Sequence, residues 1–150
     1  MESDLISPKF GSFFQKIEQP LSDFLTKNYY GTKEVIIFTE FHGPHSFAGT
    51  HNPKEEKKLT LFDVQIDGRL LPPEQFIKLF EPFGIPKVVF QGKFSGQLFM
   101  DVRNGKHPVQ EGIVVKGVVN GQVYMAKIKT NAYLEQLKTK FKDNWKEYWE

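Results

Sequence analysis

The stretch EGIVVKGVVNGQVYMAKIK, residues 111–129, decides the fold class because it joins two apolar runs through a tight turn signal. Residues 112–117 and 123–129 are rich in β-branched and other apolar side chains, which favours strands over helices. The Asn120-Gly121 pair between them is a strong signal for a two-residue hairpin turn. The stretch therefore predicts two antiparallel strands.

The segment that begins the chain predicts a helix followed by a strand. β-branched and aromatic residues at 34–41 indicate a buried strand that ends in a turn at 42–44, and a polar loop follows over residues 50–58. We expect Pro20 to start or kink part of the helix. Apolar residues at spacings of three and four indicate that helix: Phe13, Phe14, Ile17, Leu21, Phe24 and Leu25.

The middle of the chain predicts further short elements. Residues 59–66 alternate in the manner of a strand, and the Asp-Gly pair at 67–68 is a turn signal that leads into another short strand. The prolines at 72–73 can open a helix that ends at residues 82–84. Residues 88–90 resemble a short strand. Most strands are thus joined by turns rather than by helical crossovers.

The remaining segments are predicted to be helical, and they complete an α+β architecture. Helices are expected at residues 97–103 and from about 132 to 149. Because the strands are connected by short turns, we expect largely antiparallel sheets with flanking helices rather than a doubly wound parallel sheet. No repeat or linker indicates a second domain, so residues 1–150 are predicted to form one domain.

Composition narrows the class of protein but not its function. The chain has 150 residues, of which 39% are hydrophobic, and its net charge is +2, which is too small to indicate nucleic-acid binding by overall charge. There is no Cys, which excludes disulfides and thiolate metal sites. The start of the chain is unlike a secretory signal, and no stretch is long enough to span a bilayer. We therefore expect a soluble, cytoplasmic protein with no membrane partner.

The most informative chemical feature is a pair of lysines in the second strand of the predicted hairpin. Lys127 and Lys129 are two residues apart, so their ammonium groups should lie on the same face. Two cations repel each other unless an anion lies between them, and a phosphate fits this position. Glu111, just before the partner strand, is placed to hold a ribose hydroxyl, a metal ion or a lysine. A solvated lysine face is the simpler alternative.

Four short motifs resemble, in order, those of the covalent nucleotidyltransferases, the superfamily of RNA ligases, DNA ligases and capping enzymes. They are FTEFHG at 38–43, similar to motif III; LTLFDV at 59–64, similar to motif IIIa; EGIVVK at 111–116, similar to motif IV; and KIK at 127–129, similar to motif V. GPHSFAGTH at 43–51 and TNAYL at 130–134 are more similar to RNA ligases than to DNA ligases. The resemblance covers about residues 34–134.

This resemblance implies roles for individual residues. Glu40 would accept hydrogen bonds from the nucleotide ribose, and Phe62 would stack on adenine. Glu111 would place a magnesium ion or the lysine nucleophile. Lys127 and Lys129 would bind the α-phosphate of ATP, although GTP stays open as the nucleotide. One further residue, Lys116, is a candidate phosphate contact. Without the order of the motifs, core packing would be the favoured role of Phe62 and an internal salt bridge that of Glu40.

The lysine that the superfamily uses as its nucleophile is not found in this chain. It belongs to a Lys-x-Asp-Gly motif that should precede Glu40 and that attacks the α-phosphate of ATP. The only Asp-Gly pair is at 67–68, and Gln65 stands where the lysine would be. Lys9 and Lys93 lack the Asp-Gly partner. We therefore predict no catalytic residue here, a domain truncated on its N-terminal side, and an N-terminal fragment that carries the motif as a partner.

Three functions compete at this point. The first is an RNA ligase domain that joins 5′-phosphate and 3′-hydroxyl RNA ends through ATP-derived adenylates and is inactive as an isolated chain. The second is a non-catalytic nucleotide- or RNA-binding module. The third is a structural fragment with vestigial motifs. Histidines at 42, 45 and 51 raise the question of a metal site, but their spacing matches no familiar signature.

Overall fold

The computed structural model describes residues 8–42 and 58–148 and divides the chain into two compact units at the Lys87–Val88 bond. Each unit has its own sheet, and every strand pair in them is antiparallel. The predicted α+β class with antiparallel sheets and helices is confirmed. The assignment of residues 1–150 to one domain stays a prediction. Among the described residues, no helix is both long and apolar enough to cross a membrane.

The first unit packs two helices against a three-stranded sheet. The strand order is β1-β2-β3. The predicted turn at 42–44 and most of the predicted loop at 50–58 lie outside the described residues. The elements are α1 (Pro8–Asn28), β1 (Val35–His42), β2 (Lys58–Ile66), β3 (Arg69–Leu70) and α2 (Pro73–Phe80), which a 3-10 turn at Glu81–Phe83 extends.

The core of the first unit is formed by one stripe of α1, the inner face of β2 and the aromatic side of α2. The predicted helix is confirmed, and it continues through Pro20 without ending there. Its stripe is narrower than expected, because Phe14 is exposed whereas Phe13 is buried. The buried side chains of this core are Phe13, Ile17, Leu21, Leu61, Val64, Ile66, Leu71, Phe76 and Phe80.

The second unit is a hairpin with one helix on its inner face and another after it. Its elements are α3 (Gly96–Arg103), β4 (Gly112–Val119), β5 (Gln122–Lys129) and α4 (Asn131–Phe141). Asn120 and Gly121 both have positive φ, as the predicted tight turn requires. Leu98 and Val102 of α3 pack against Ile128 of β5. Residues 111–129 therefore form the hairpin that their sequence predicts.

Two expectations for the second unit are wrong. Residues 88–90 form no strand, and none of the described strands pairs with them, so their backbone groups lack the ladder that defines a strand. The last helix ends at Phe141 rather than near residue 149, because Lys142 adopts a φ of 47° and a 3-10 segment follows at Lys142–Tyr148. Asp and Asn directly after Lys142 compete with the helical backbone for hydrogen bonds.

Candidate functional site

The register of the β4–β5 hairpin places the three predicted phosphate-binding lysines on one face. Lys127 and Lys129 are two apart in β5, and the direct partner of Lys127 is Val114. Lys116, two residues after Val114, is the diagonal neighbour of Lys127 on the same face. Diagonal neighbours have Cα atoms roughly 7–8 Å apart. The register therefore places Lys127 between Lys116 and Lys129 on this face of the hairpin. We call this surface the lysine face.

Within the lysine face, Lys129 differs from the other two lysines because its charge is buried. Lys129 is 7% exposed, and its Nζ donates a hydrogen bond to the carboxylate of Glu111. The same Nζ lies 5.1 Å from the ring centre of Tyr133. Burying an ammonium without a partner is costly, and here a carboxylate and an aromatic face stabilise it. Lys127, in contrast, is exposed, and an incoming anion would meet it directly.

Glu111 is held next to Lys129 by a residue that carries four hydrogen bonds. Thr130, which is 2% exposed, donates from its backbone N to the carbonyl of Glu111 at 2.8 Å. Its hydroxyl donates to the carbonyl of Gln110 at 2.7 Å and accepts from the backbone N of Tyr133 at 3.1 Å. Its carbonyl accepts from the backbone N of Leu134. Thr130 thus caps α4 and fixes the start of β4 against the end of β5.

A close approach of the two backbones also fixes the position of Lys129. Gly112, which follows Glu111, pairs with Lys129, and a Cβ at this glycine would lie 2.1 Å from the backbone O of Ile128 and 2.8 Å from the Cα of Lys129. Its φ of 158° is also unusual for an L side chain. Only glycine fits this position, so the Gly of the EGIVVK motif has a packing role that its sequence alone does not reveal.

Tyr133 is the titratable group that this environment perturbs most clearly. Burial raises the pKa of the Tyr133 phenol, and the nearby Glu111 carboxylate raises it further. The phenol therefore stays neutral through the physiological range. A neutral ring beneath Lys129 keeps its cation-attracting face without adding a second negative charge.

The other two predicted nucleotide-binding residues, Glu40 and Phe62, lie in the first unit. Phe38 of β1 pairs with Asp63 of β2, and Thr39 pairs with Leu61, so Phe62 is the extra residue of a β-bulge. A bulge redirects a side chain and is frequent next to functional sites. The ring centroids of Phe62 and Phe38 are 6.1 Å apart and tilted by 43°. Phe62 is half-buried rather than sealed in the core.

The sheet face that carries Phe38 also carries Glu40 and a buried acid. Glu40, two residues after Phe38 in β1, is exposed and pairs with Thr60. Asp63, opposite Phe38, is only 3% exposed. Leu61, Val64 and Ile66 occupy the opposite, core-facing side. Polar and aromatic groups therefore share a face that does not build the core of this unit. Phe62 is not among the buried residues of this core, and its role stays a prediction.

Glu111 is also the predicted magnesium ligand, and its carboxylate accepts a hydrogen bond from Lys129. In the described parts of the chain, no three His, Asp or Glu side chains cluster as a metal site would require. Mg²⁺ is usually bound through one or two carboxylates and the substrate phosphates, so one Glu beside the lysine face fits such a role. Magnesium binding stays a prediction. His45 and His51 lie outside the described residues, as does the side chain of His42.

The only Asp-Gly pair of the chain is a turn with a structural role. Asp67 has a φ of 46°, and its carboxylate accepts hydrogen bonds from the backbone N of Lys33 and of Glu34, each at 2.9 Å. Gln65 lies within β2. This pair therefore connects β2 to β3 and pins the start of β1, as expected of a turn rather than of a nucleophile motif.

Three residues next to the predicted site residues lie within the quoted motifs but receive no individual role from the sequence. Thr130 and Tyr133 follow the KIK motif, and a Thr directly before a predicted helix is a recognisable N-cap signal. Asp63 is the only acid within β2, which is the signal that marks it. Their partners depend on tertiary structure, so no spacing rule identifies them.

Comparisons of the chain with profiles of known protein families, with curated proteins and with solved structures find no match in any of the three.

Proposed function

We propose that this chain is the nucleotide-binding part of an ATP-dependent RNA ligase of the covalent nucleotidyltransferase superfamily. In this role, Lys127, Lys116 and Lys129 contact the phosphates of ATP, whereas the roles of Phe62 and Glu40 at its adenosine stay expectations from the resemblance. Glu111 holds Mg²⁺ at the phosphates or orients the nucleophile. The reaction joins 5′-phosphate and 3′-hydroxyl RNA ends in the cytoplasm. The chain by itself forms no lysyl-adenylate, because it contains no Lys-x-Asp-Gly.

The observation that carries this proposal is the lysine face, in which buried Lys129 is paired with the exposed carboxylate of Glu111. An ordinary solvated strand face would leave every lysine in water. Here Lys129 is buried against a carboxylate and an aromatic ring, while Lys127 next to it stays exposed. Such a pairing of one positioned charge with one accessible charge suits phosphate binding, since the accessible ammonium binds the anion as a point charge.

Isothermal titration calorimetry with ATP and Mg²⁺ tests the binding step. We expect Lys127→Met to weaken ATP binding by about 10-fold or more, because a hydrogen bond to a charged group contributes about 1.5–3 kcal/mol. The matched control is Lys16→Met, since Lys16 is an exposed lysine of α1. Equal ATP affinity of wild type and Lys127→Met, or no binding by wild type, would remove the basis of the proposal.

The covalent step has its own test, which uses ATP labelled at the α-phosphate. After incubation with Mg²⁺ and denaturation, we expect no label on this chain alone. Label that survives denaturation would show that the chain contains a nucleophile after all. Addition of a polypeptide that carries Lys-x-Asp-Gly should restore labelling and the sealing of nicked RNA.

A second candidate function is a non-catalytic module that binds a nucleotide or RNA. The absence of Lys-x-Asp-Gly from the sequence favours it. It predicts the same ATP affinities as the ligase proposal but no ligation under any addition. Restored sealing by the added polypeptide would exclude it.

A further inference from the structure

The segment from residue 88 to residue 103 exposes five large apolar side chains, three of them aromatic. Exposed aromatic area costs free energy, about 25 cal/mol for each Å² that could be buried, so a concentration of it indicates an interaction surface. Residues 88–90 join none of the described strands, and Val88 and Phe90 are exposed. The exposed side chains are Val88, Phe90 (47%), Phe94 (52%), Phe99 (40%) and Met100.

The charges of this segment have one sign. Residues 88–100 contain no Asp or Glu, whereas Lys93 lies among the exposed aromatics. The first acid, Asp101, is already engaged, because Lys106 pairs with its carboxylate at 2.8 Å and Gln97 donates to it at 2.8 Å. The pKa of Asp101 is held below its usual range, first by the hydrogen bond from Lys106. The accessible charge of the surface is therefore positive.

The fold holds these side chains in defined positions. In α3, Leu98 and Val102 face the core, which leaves Phe99 and Arg103, four residues apart, on a neighbouring stripe. The Arg103 guanidinium lies 5.8 Å from the centre of the Phe99 ring. Ser95 caps α3 by accepting a hydrogen bond from the backbone N of Leu98, which fixes the backbone just after Phe94. An aromatic ring and a cation are thus presented together.

We propose that residues 88–103, the aromatic-basic segment, bind single-stranded nucleic acid. Bases stack on the exposed rings of Phe94 and Phe99, and Lys93 and Arg103 neutralise the flanking phosphates. The surface combines exposed aromatic rings with cations, and its acid Asp101 is already paired. Such a surface fits a polyanion with flat bases better than it fits another protein. The inference goes beyond ATP binding, since strand binding here requires neither a nucleotide nor the lysine face. Failure of one proposal is therefore distinguishable from failure of the other.

Fluorescence anisotropy with the full chain and a labelled oligouridylate of about 12 nucleotides tests the stacking, at a length within known site sizes. Loss of one base–aromatic stack costs about 1–3 kcal/mol, so the Phe94→Ala/Phe99→Ala double variant should bind at least about 10-fold more weakly. The control is Tyr30→Ala, because Tyr30 is a fully exposed aromatic residue of the first unit. Unchanged affinity of the double variant would overturn the proposal.

The salt dependence of binding tests the phosphate contacts. This test remains valid even if the aromatic variants fail to fold. Each phosphate contact on a single strand contributes about −0.7 to the slope of log K against log salt. Lys93→Ala and Arg103→Ala should each reduce the slope by about that amount, whereas Lys16→Ala should not. Oligothymidylate should bind like the RNA, and a duplex of equal length should bind at least about 10-fold more weakly, because its bases are not free to stack. Equal binding of the duplex, or an unchanged slope in both variants, would refute the inference.

Discussion

Replacement of Gly112 by Ala tests whether the end of the hairpin is as closely packed as the structure indicates. The added Cβ would lie 2.1 Å from the backbone O of Ile128, 2.8 Å from the Cα of Lys129 and 2.9 Å from the carbonyl C of Ile128. All three atoms belong to the backbone, so no side chain can rotate away. Ordinary contacts begin near 3.4 Å. The strands would have to separate by roughly 1 Å, which disrupts the hydrogen bonds between them.

The expected cost follows from this clash. Overpacking typically costs about 1–3 kcal/mol, and a clash with backbone belongs at the upper end of that range. For a chain of this length, each kcal/mol lowers the melting temperature by about 2–4 °C. We therefore expect Gly112→Ala to lower the melting temperature by roughly 6–12 °C. Because Gly112 pairs with Lys129, the variant should also weaken ATP binding.

The matched control lies in the same strand. Gly117 is also in β4, but a Cβ there would meet nothing within 4 Å. Gly117→Ala should therefore leave the melting temperature unchanged or raise it slightly, since Ala restricts the unfolded chain more than Gly does. Thermal unfolding followed by circular dichroism measures both variants. Equal melting temperatures for Gly112→Ala and wild type would refute the close approach of β4 and β5 at this point.

Two further predictions concern the residues next to the Glu111–Lys129 pair. Thr130→Val keeps the shape of the side chain but leaves the carbonyl of Gln110 and the N–H of Tyr133 without their partner. Urea unfolding should therefore show that the free energy of unfolding falls by about 2 kcal/mol. Thr130→Ser keeps the hydroxyl and should recover most of this loss. An equal loss in both variants would show that the hydroxyl contributes nothing. The raised pKa of Tyr133 contributes no pH dependence to the unfolding free energy below about pH 10 and lowers that free energy as pH rises above about 10, because the unfolded chain ionises first. Urea unfolding at a series of pH values should show a smaller fall for Tyr133→Phe than for wild type, and an identical fall would contradict the assignment.

The sequence was sufficient for elements whose signals are local. Asn120-Gly121 between two apolar runs predicts the hairpin because both residues must adopt positive φ, and they do. Pro73 begins the second helical segment and Gly84 ends it, because each residue suits the backbone conformation at its position. The strand at residues 88–90 was predicted wrongly because β propensity measures how well a side chain fits a sheet, and no strand is there to pair with it.

The two-residue periodicity of a strand predicts only part of the candidate site. Side chains two residues apart in a strand lie on the same face, so Lys127 and Lys129 share a face whatever surrounds the strand. Which lysine is buried depends on Glu111 and Tyr133, which approach Lys129 through the end of the hairpin and the start of α4. The bulge at Phe62 depends on the register between β1 and β2, which the pattern of either strand alone does not define.

The short turn at Asn120-Gly121 has a consequence for how the lysine face forms during folding. Glu111 and Lys129 are only 18 residues apart, and every ladder bond between β4 and β5 closes a loop shorter than that. Local contacts have a low loop-closure cost, and isolated hairpins form in about 1–10 μs. We expect the lysine face to assemble early from its own stretch of chain, before contacts between distant segments form. Synthetic peptides that span this stretch are therefore a natural starting point for isolating the anion-binding surface.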